Sequence, residues 1–305
     1  MHNNIRTHRP SAPAPRRTAF TLIELVIVIL VISILAAMLL PALAQVKARA
    51  NDARCKGEID QLATAIAMFK QSYGVEPPSR ITLYQDWNTV DATTKATLRR
   101  IWPQFNFTAT GTVPGMTGNV TLNGAECLMF FLGGIFQNAY PAVDAPTGFS
   151  KNPSNPFMTG GNREGPFIEF DMARFVDLNS NGFREYRDTF NTEQSPYLYF
   201  SSYEGSGYLA PATGAPTGVP PGSPELPPFG ISPWTGFVDI YRTQTNSATQ
   251  NGAAYKPQSF QIISAGADGL IGVGGYFNTS QPNSGLTNTY DYDNLTNFHS
   301  GRLKP

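Results

Sequence analysis

The chain has 305 residues, with 22 basic and 22 acidic side chains, and only 14% of its positions are charged. A chain of this length can hold one large domain or two small ones, and its zero net charge gives no reason to expect a nucleic-acid partner. The 28 glycines and 25 prolines are typical of a loop-rich extracytoplasmic domain rather than of a compact helical enzyme.

Residues 1–19 form a predicted basic leader peptide, with several arginines and prolines and no acid. The apolar segment 20–40 follows, and it is long enough to cross a bilayer as a helix. A secretory signal would have a shorter apolar core with small residues after it. An ordinary membrane anchor would not explain Glu24, because a charged side chain costs about 2.5–3.5 kcal/mol at the centre of a span. We therefore predict cleavage between Ala19 and Phe20, and a positively charged partner for Glu24.

The sequence Arg-Arg-Thr-Ala-Phe-Thr-Leu-Ile-Glu-Leu at residues 16–25 resembles the type III signal of type IV pilins and type II secretion pseudopilins. In that family a prepilin peptidase cuts before the Phe and methylates the new amine. The acid at the fifth mature position then pairs with this amine during assembly. The resemblance assigns these roles to Phe20 and Glu24, and Pro41 falls where the family often has a helix-kinking proline. Ala19 is the departure, since the family nearly always has glycine there, and slower processing is expected.

The resemblance implies an α+β fold, in which a long N-terminal helix packs on an antiparallel β-sheet domain with long loops. Residues 20–41 would span the membrane and form the filament core. Residues 42–74 would be the amphipathic half of the helix, and residues 75–305 the soluble, β-rich domain. Before assembly the chain would be a single-pass inner-membrane protein with a cytoplasmic N terminus, and its soluble domain would face the periplasm or the cell exterior.

Beyond Pro41 the helix is predicted to continue to about Gly74, because apolar residues recur there at steps of three and four. This spacing puts them on one face, which would pack against the β-sheet; a dimerising coil is the alternative. The residues of this stripe are Cys55, Ile59, Leu62, Ile66, Phe69 and Tyr73.

The rest of the chain is predicted to be mixed and rich in short strands. Helices are expected at Gly124–Ile135 and Asp91–Trp102. Strands are expected where aromatic and β-branched residues cluster, with the irregular Pro/Gly-rich tract Pro211–Pro228 between them. The predicted strands are Pro196–Tyr203, Gly236–Arg242 and Ser259–Ser264.

Residues 177–188 match the template of a calcium-binding loop. Oxygen-bearing side chains stand at the first, third and fifth positions, Gly182 stands at the turn, and acids stand at the ninth and twelfth. The closing acid is an aspartate, where a glutamate is usual, and a polar β-turn is the alternative. The predicted ligands are Asp177, Asn179, Asn181, Phe183, Glu185 and Asp188.

A second calcium candidate lies near the C terminus. The Ser-x-Gly-x-Asp-Gly turn at residues 264–269 is similar to the tail of the major pseudopilin, in which this turn and later acids wrap a calcium ion. The later acids match only loosely here, because the intervening loop is longer, and a glycine-rich turn without metal is the alternative. The ligands implied are Ser264, Asp268, Asp291 and Asp293. Calcium is thus the expected cofactor.

The two cysteines, Cys55 and Cys127, can either form one disulfide bridge or remain two buried thiols. Catalysis is not expected, because His299 is the single histidine after the leader. A chain with one histidine does not readily supply a Ser-His-Asp triad or a histidine-rich metal site.

These patterns predict a non-enzymatic structural subunit of a type II secretion pseudopilus or of a type IV pilus-like filament. The partners that the resemblance implies are a prepilin peptidase, other pilin or pseudopilin subunits, and an inner-membrane assembly platform. The alternative is a surface adhesin or substrate-binding protein that uses the pilin anchor and contacts a polymer through exposed Tyr and Trp.

Overall fold

The computed structural model describes residues 20–108, 111–138, 141, 144–190, 195–208, 239–243, 252–279, 285–286 and 288–304. The predicted leader, with Ala19, and the tract 211–228 lie outside these residues. The chain divides into an N-terminal unit that ends at Arg49 and a larger unit that begins at Ala50.

Three α-helices confirm the predicted helical segments. Helix α1 spans Leu22–Tyr73 and continues through Pro41, although proline removes one backbone hydrogen bond from the helix. It ends at Gly74, whose φ of 80° is the left-handed conformation that commonly terminates helices. Helix α2 spans Ala92–Ile101 and helix α3 spans Gly124–Gly133, each slightly shorter than predicted.

The strands of the described residues are short. They are β1 (Ile81–Leu83), β2 (Val120–Leu122), β3 (Phe149–Ser150), β4 (Arg163–Glu164), β5 (Phe175–Val176), β6 (Glu185–Tyr186), β7 (Leu198–Ser201), β8 (Asp239–Thr243), β9 (Phe260–Ser264), β10 (Gly274–Phe277) and β11 (Leu295–Thr296). The three predicted strands correspond to β7, β8 and β9 with different limits, and residues 236–238 lie outside the described residues.

These strands form several small sheets instead of one continuous sheet. Strands β11, β9 and β7 form an antiparallel three-stranded sheet, with Leu198 opposite Ile263 and Leu295 opposite Ser264. The pairs β1–β2, β3–β4 and β5–β6 are also antiparallel. Strands β8 and β10 are parallel, which differs from the predicted antiparallel arrangement. The α+β class is confirmed.

The apolar stripe of α1 is buried in the larger unit, as predicted. Cys55, Ile59, Leu62, Ile66 and Phe69 are fully buried. They belong to one apolar cluster with α3 and with residues of the three-stranded sheet. Burying such a face is what holds an amphipathic helix on its domain.

A buried ion pair joins the C-terminal half of α1 to the rest of the larger unit. The carboxylate of Glu58 accepts two hydrogen bonds from the Arg174 guanidinium, at 2.6 and 2.7 Å. The hydroxyls of Tyr186 and Tyr197 donate to the same carboxylate, and the guanidinium stacks 4.2 Å from the Tyr186 ring centroid. The side chains of Glu58 and Arg174 are only 15% and 11% exposed, so this is a largely buried ion pair.

A second ion pair ties α1 to the C-terminal tail. The Arg302 guanidinium donates to both carboxylate oxygens of Asp52, at 2.8 and 2.9 Å. Lys56 adds a hydrogen bond to the carbonyl oxygen of Thr296 in β11, at 2.8 Å. These contacts are more exposed than the Glu58 cluster, with side-chain exposures of 27% for Arg302 and 22% for Asp52.

Candidate functional site

The first turn of α1 contains the two predicted assembly residues. Phe20 precedes the helix and is 81% exposed. Glu24 Oε2 accepts hydrogen bonds from the backbone N–H and the hydroxyl of Thr21, each at 2.8 Å, and the Thr21 hydroxyl accepts from the Glu24 N–H. This reciprocal arrangement is a capping box, which satisfies backbone donors at a helix start. Within one chain, Glu24 therefore caps its own helix.

The apolar half of α1 has no partner within the described part of the chain. Every residue from Phe20 to Ala50 is exposed. The helix contains an 18-residue stretch with a mean hydropathy of 3.1, so by length and composition it can cross a membrane. A surface of this size and composition needs lipid or other apolar chains to cover it.

The first predicted calcium loop connects β5 to β6 as a hairpin. Asp177 accepts hydrogen bonds from the N–H groups of Asn181 and Gly182, at 3.2 and 2.8 Å. The side-chain oxygens of Asn179 and Asn181 accept from the N–H groups of Asn181 and Phe183. The predicted first, third and fifth side chains therefore turn their oxygens into the loop, where they hold its backbone.

A glutamate that the loop pattern did not include completes this cluster. Glu126 lies in the first turn of α3 and is fully buried. Its Oε1 accepts the side-chain amides of Asn179 and Asn181, at 2.9 and 2.7 Å, and its Oε2 accepts the Asn123 N–H. Burial raises the pKa of Glu126 to about 7.

Glu185, the predicted ninth ligand, is fully buried near Glu126. Its oxygens accept hydrogen bonds from the Asn123 side-chain amide and the Leu178 N–H. Burial first, and then the negative charge of Glu126, raise the pKa of Glu185 well above its usual range. Two buried carboxylates so close together favour a proton or a cation between them.

Asp188, the predicted closing ligand, makes its hydrogen bonds outside the loop. Its Oδ2 accepts the hydroxyl of Ser264, at 2.7 Å, and its Oδ1 accepts the Phe190 N–H, at 3.1 Å. Ser264 belongs to the second predicted calcium site. The structure thus joins one predicted ligand from each site in a buried hydrogen bond. Glu126 of α3, rather than Asp188, contacts the side chains of the first loop.

At the C-terminal turn the structure brings Asp268 and Asp293 together. Asp293 Oδ2 accepts the N–H groups of Ala267 and Asp268, at 2.7 and 3.0 Å. Its Oδ1 is buried and has no hydrogen-bond partner among the described residues. Burial first, with the nearby Asp293 adding to it, raises the pKa of Asp268 to about 6. An orphaned buried carboxylate oxygen beside a second acid fits a site for a hard cation.

Asp291 holds a different part of the C-terminal segment. It is buried and accepts the N–H groups of Val273 and Gly274 and the Tyr241 hydroxyl, at 3.1, 3.0 and 2.7 Å. A Cβ at Gly272 would lie 2.3 Å from this carboxylate, so only glycine fits there. No group of three or more His, Cys, Asp or Glu side chains among the described residues is arranged to hold a metal. Any cation would therefore need amide or backbone oxygens as well.

The remaining predicted residues are buried. Cys55 and Cys127 are free thiols, with Cys55 Sγ lying 3.6 Å from the Tyr197 hydroxyl, so the structure matches the thiol alternative and contains no bridge between them. Trp87 and Trp102 lie in the core, where they cannot contact a polymer. The adhesin alternative requires exposed Tyr and Trp side chains, and these two tryptophans do not meet that requirement.

Residues 15–40 match the model of the family described as the prokaryotic N-terminal methylation motif. No curated protein and no solved structure matches the chain. The matched residues include Phe20 and Glu24 and most of the apolar half of α1. The chain therefore carries a prokaryotic N-terminal methylation motif at the start of a potential membrane-spanning helix, which supports a type IV pilin-like prepilin.

Proposed function

We propose that the chain is a structural subunit of a type II secretion pseudopilus or a type IV pilus-like filament. The observation that carries this proposal is the methylation motif at residues 15–40, placed on a helix whose apolar half is fully exposed. A prepilin peptidase would cut before Phe20 and methylate its new amine. Other subunits would then cover the exposed half of α1 as the chain leaves the membrane.

The chemistry of Glu24 explains how such packing can set register. A carboxylate surrounded by apolar helices is costly unless a positive group is close. The α-amino group created at Phe20 of a neighbouring subunit is a suitable partner. Glu24 now caps its own helix through Thr21, so the incoming amine would join or replace these bonds.

The expected location follows from the same helix. The leader would remain cytoplasmic, as the resemblance implies. Arg16 and Arg17 lie directly before the span, but Lys47 and Arg49 follow it, so the resemblance and not the charge bias carries this orientation. The larger unit, from Ala50 onward, would face the periplasm or the cell exterior. An inner-membrane assembly platform would be the partner that extracts the chain.

Replacing Glu24 with alanine should abolish incorporation into filaments, while cleavage of the leader continues. The reason is that the variant loses the only charged group within residues 20–40 that can attract the Phe20 amine. Sheared filaments are measured by immunoblot, and the mature N terminus by mass spectrometry. A wild-type chain that begins at a methylated Phe20 supports the proposal, and a chain that retains its leader in a peptidase-competent host contradicts it.

Thr21→Ala is the matched control for Glu24→Ala. It breaks the capping box but keeps the carboxylate, so it should still assemble. If both variants fail equally, the helix cap would account for the loss, and the register role of Glu24 would be wrong.

We also propose that calcium stiffens the larger unit. The first site offers the carboxylates of Asp177 and Glu185 in the loop and of Glu126 in α3, and the C-terminal turn offers Asp268 and the unpartnered oxygen of Asp293. Oxygen donors of this kind are the ligands that calcium prefers. When bound, the ion would neutralise carboxylates that burial otherwise penalises.

Calcium should raise the thermal midpoint of the detergent-solubilised chain relative to the same chain in chelator, because an ion that binds only the folded state stabilises it. The variants Asp177→Asn and Asp268→Asn identify the site. The substitution in the site that binds calcium should abolish the calcium-dependent shift of the thermal midpoint, and the other should leave it. A midpoint that does not move in the wild type would remove both sites.

A further inference from the structure

Large apolar side chains are scarce on the described surface beyond the segment 20–41. Those that are exposed are Leu43, Val46, Met68, Met158, Met172 and Tyr290. Leu43 and Val46 are one helical turn apart on α1. Met68 and Met172 are far apart in sequence but border the same surface feature, which is described next. Two separate apolar patches therefore remain uncovered.

Met68 and Met172 border two depressions that share the wall Phe167–Ile168. Their volumes are about 360 and 460 Å³. We call the two together the methionine groove, and its lining includes Ala65, Pro146 and Phe170. Its floor and walls are mainly apolar, and methionine side chains adapt readily to an incoming surface.

The charged side chains that line the methionine groove are both acids. Asp60 lies in the first depression and Glu169 in the second, and both residues are exposed. A complementary occupant would have two apolar side chains and a cation beside them. An acidic rim selects such an occupant by attraction and rejects an acidic one.

The exposed patch on α1 has this composition. Leu43 and Val46 are 65% and 63% exposed, and Lys47 follows directly, four residues after Leu43. Residues three and four apart share a helix face, so one face presents both apolar side chains and the cation. We propose that the methionine groove binds the Leu43–Lys47 face of α1 of a second copy of this chain. The proposal rests on the filament function, for which it names the contacting surfaces.

The contact joins two different surfaces, so it is heterologous. A heterologous contact repeats without closing unless its rotation forms a ring, and it therefore builds open-ended assemblies. Within such an assembly Lys47 would lie between Asp60 and Glu169. Asp60 already pairs with Lys56 at 3.3 Å, so Glu169 is the acid with the larger expected share of the attraction.

Cross-linking between two differently tagged full-length chains tests the contact directly. One chain carries Val46→Cys and the other Met172→Cys, and a short bis-maleimide is added to cells that assemble both chains into filaments. We expect a heterodimer at several-fold higher yield than with the control Val46→Cys plus Met158→Cys. Met158 is as exposed as Met172 but does not line the groove, and the native cysteines are buried. Equal yields, or attachment of Met172→Cys to some other membrane protein, would overturn the proposal.

Charge reversal gives a second test, which is read as a change in the yield of the same cross-link. Lys47→Glu should lower the cross-link yield several-fold, and adding Glu169→Lys to the partner chain should restore most of it. If neither Lys47→Glu nor Glu169→Lys changes the cross-link yield, the charge pairing is wrong, and the Leu43–Lys47 face is not the occupant of the groove. Because the cross-link is read in sheared filaments, failure to form filaments would count against the proposed function. Filaments without the cross-link would count against the groove alone.

Discussion

Replacing Arg174 with methionine should lower the free energy of unfolding by about 3–5 kcal/mol, the usual cost of removing one partner from a buried ion pair. The loss is large because Glu58 stays in its pocket with only the hydroxyls of Tyr186 and Tyr197 as donors. Stability is measured by denaturant unfolding of the detergent-solubilised chain. Fluorescence of the buried Trp87 and Trp102 reports the transition.

Asp52→Asn provides the comparison for Arg174→Met, because it weakens another ion pair between α1 and the rest of the larger unit. That pair is more exposed, and exposed pairs contribute about 0–1 kcal/mol. A loss for Arg174→Met no larger than that for Asp52→Asn would show that the Glu58 cluster is not a major attachment of the helix.

Replacing Glu126 with glutamine should stabilise the calcium-free chain at pH 8 by about 3 kcal/mol, the free-energy equivalent of a pKa raised from 4.5 to about 7. Glutamine fits, because its oxygen can accept the Asn123 N–H as in other capping boxes. Its NH₂ group would face the side-chain amides of Asn179 and Asn181, whose oxygens already accept the N–H groups of Asn181 and Phe183, so about 3 kcal/mol is the upper limit of the gain.

The pH dependence of the Glu126 effect has a definite sign. The folded state holds a proton on this carboxyl more tightly than the unfolded chain does, so its contribution to stability is full below about pH 4.5 and is lost as the pH rises through about 7. The advantage of Glu126→Gln should therefore vanish near pH 4 and grow towards pH 8, in unfolding measured with chelator. If Glu126→Gln is less stable than the wild type at pH 8, burial does not destabilise the Glu126 carboxylate as proposed.

Glu164→Gln is a suitable control for Glu126→Gln, because Glu164 lies at the surface and pairs with Lys151 at 3.0 Å. Its replacement should change stability by less than about 1 kcal/mol. In excess calcium the benefit of Glu126→Gln should disappear if the ion binds beside this residue, since the ion would neutralise the wild-type carboxylate.

Local patterns predicted the parts of the molecule that depend on neighbours in sequence. The steps of three and four from Cys55 to Phe69 identified the buried face of α1, and the helix expected from Asp91 onward is α2, for which the structure shows Asp91 as the N-cap. Both follow from helix periodicity and backbone capping, which need no knowledge of the fold. The methylation motif is equally local, since it depends on fixed spacing from Phe20.

Contacts between distant residues were beyond the reach of such patterns. Arg174 and Glu58 are 116 residues apart, and no spacing rule joins them. Glu126 could be recognised as the acid of a capping box after Asn123, but not as a neighbour of the Asp177 loop. The loop template likewise gave Asp188 the closing position, whereas tertiary packing gives it Ser264 as a partner.

The Asp188–Ser264 hydrogen bond has a consequence for how the larger unit melts. No strand of the described residues is longer than five residues, so no long ladder of backbone hydrogen bonds connects distant parts of these residues. Buried side-chain hydrogen bonds between distant segments therefore hold the small sheets together. The Asp188–Ser264 bond joins the end of the β5–β6 hairpin to strand β9. This bond couples the two predicted calcium sites, because opening either one would leave the buried hydroxyl of Ser264 or the buried carboxylate of Asp188 without the other.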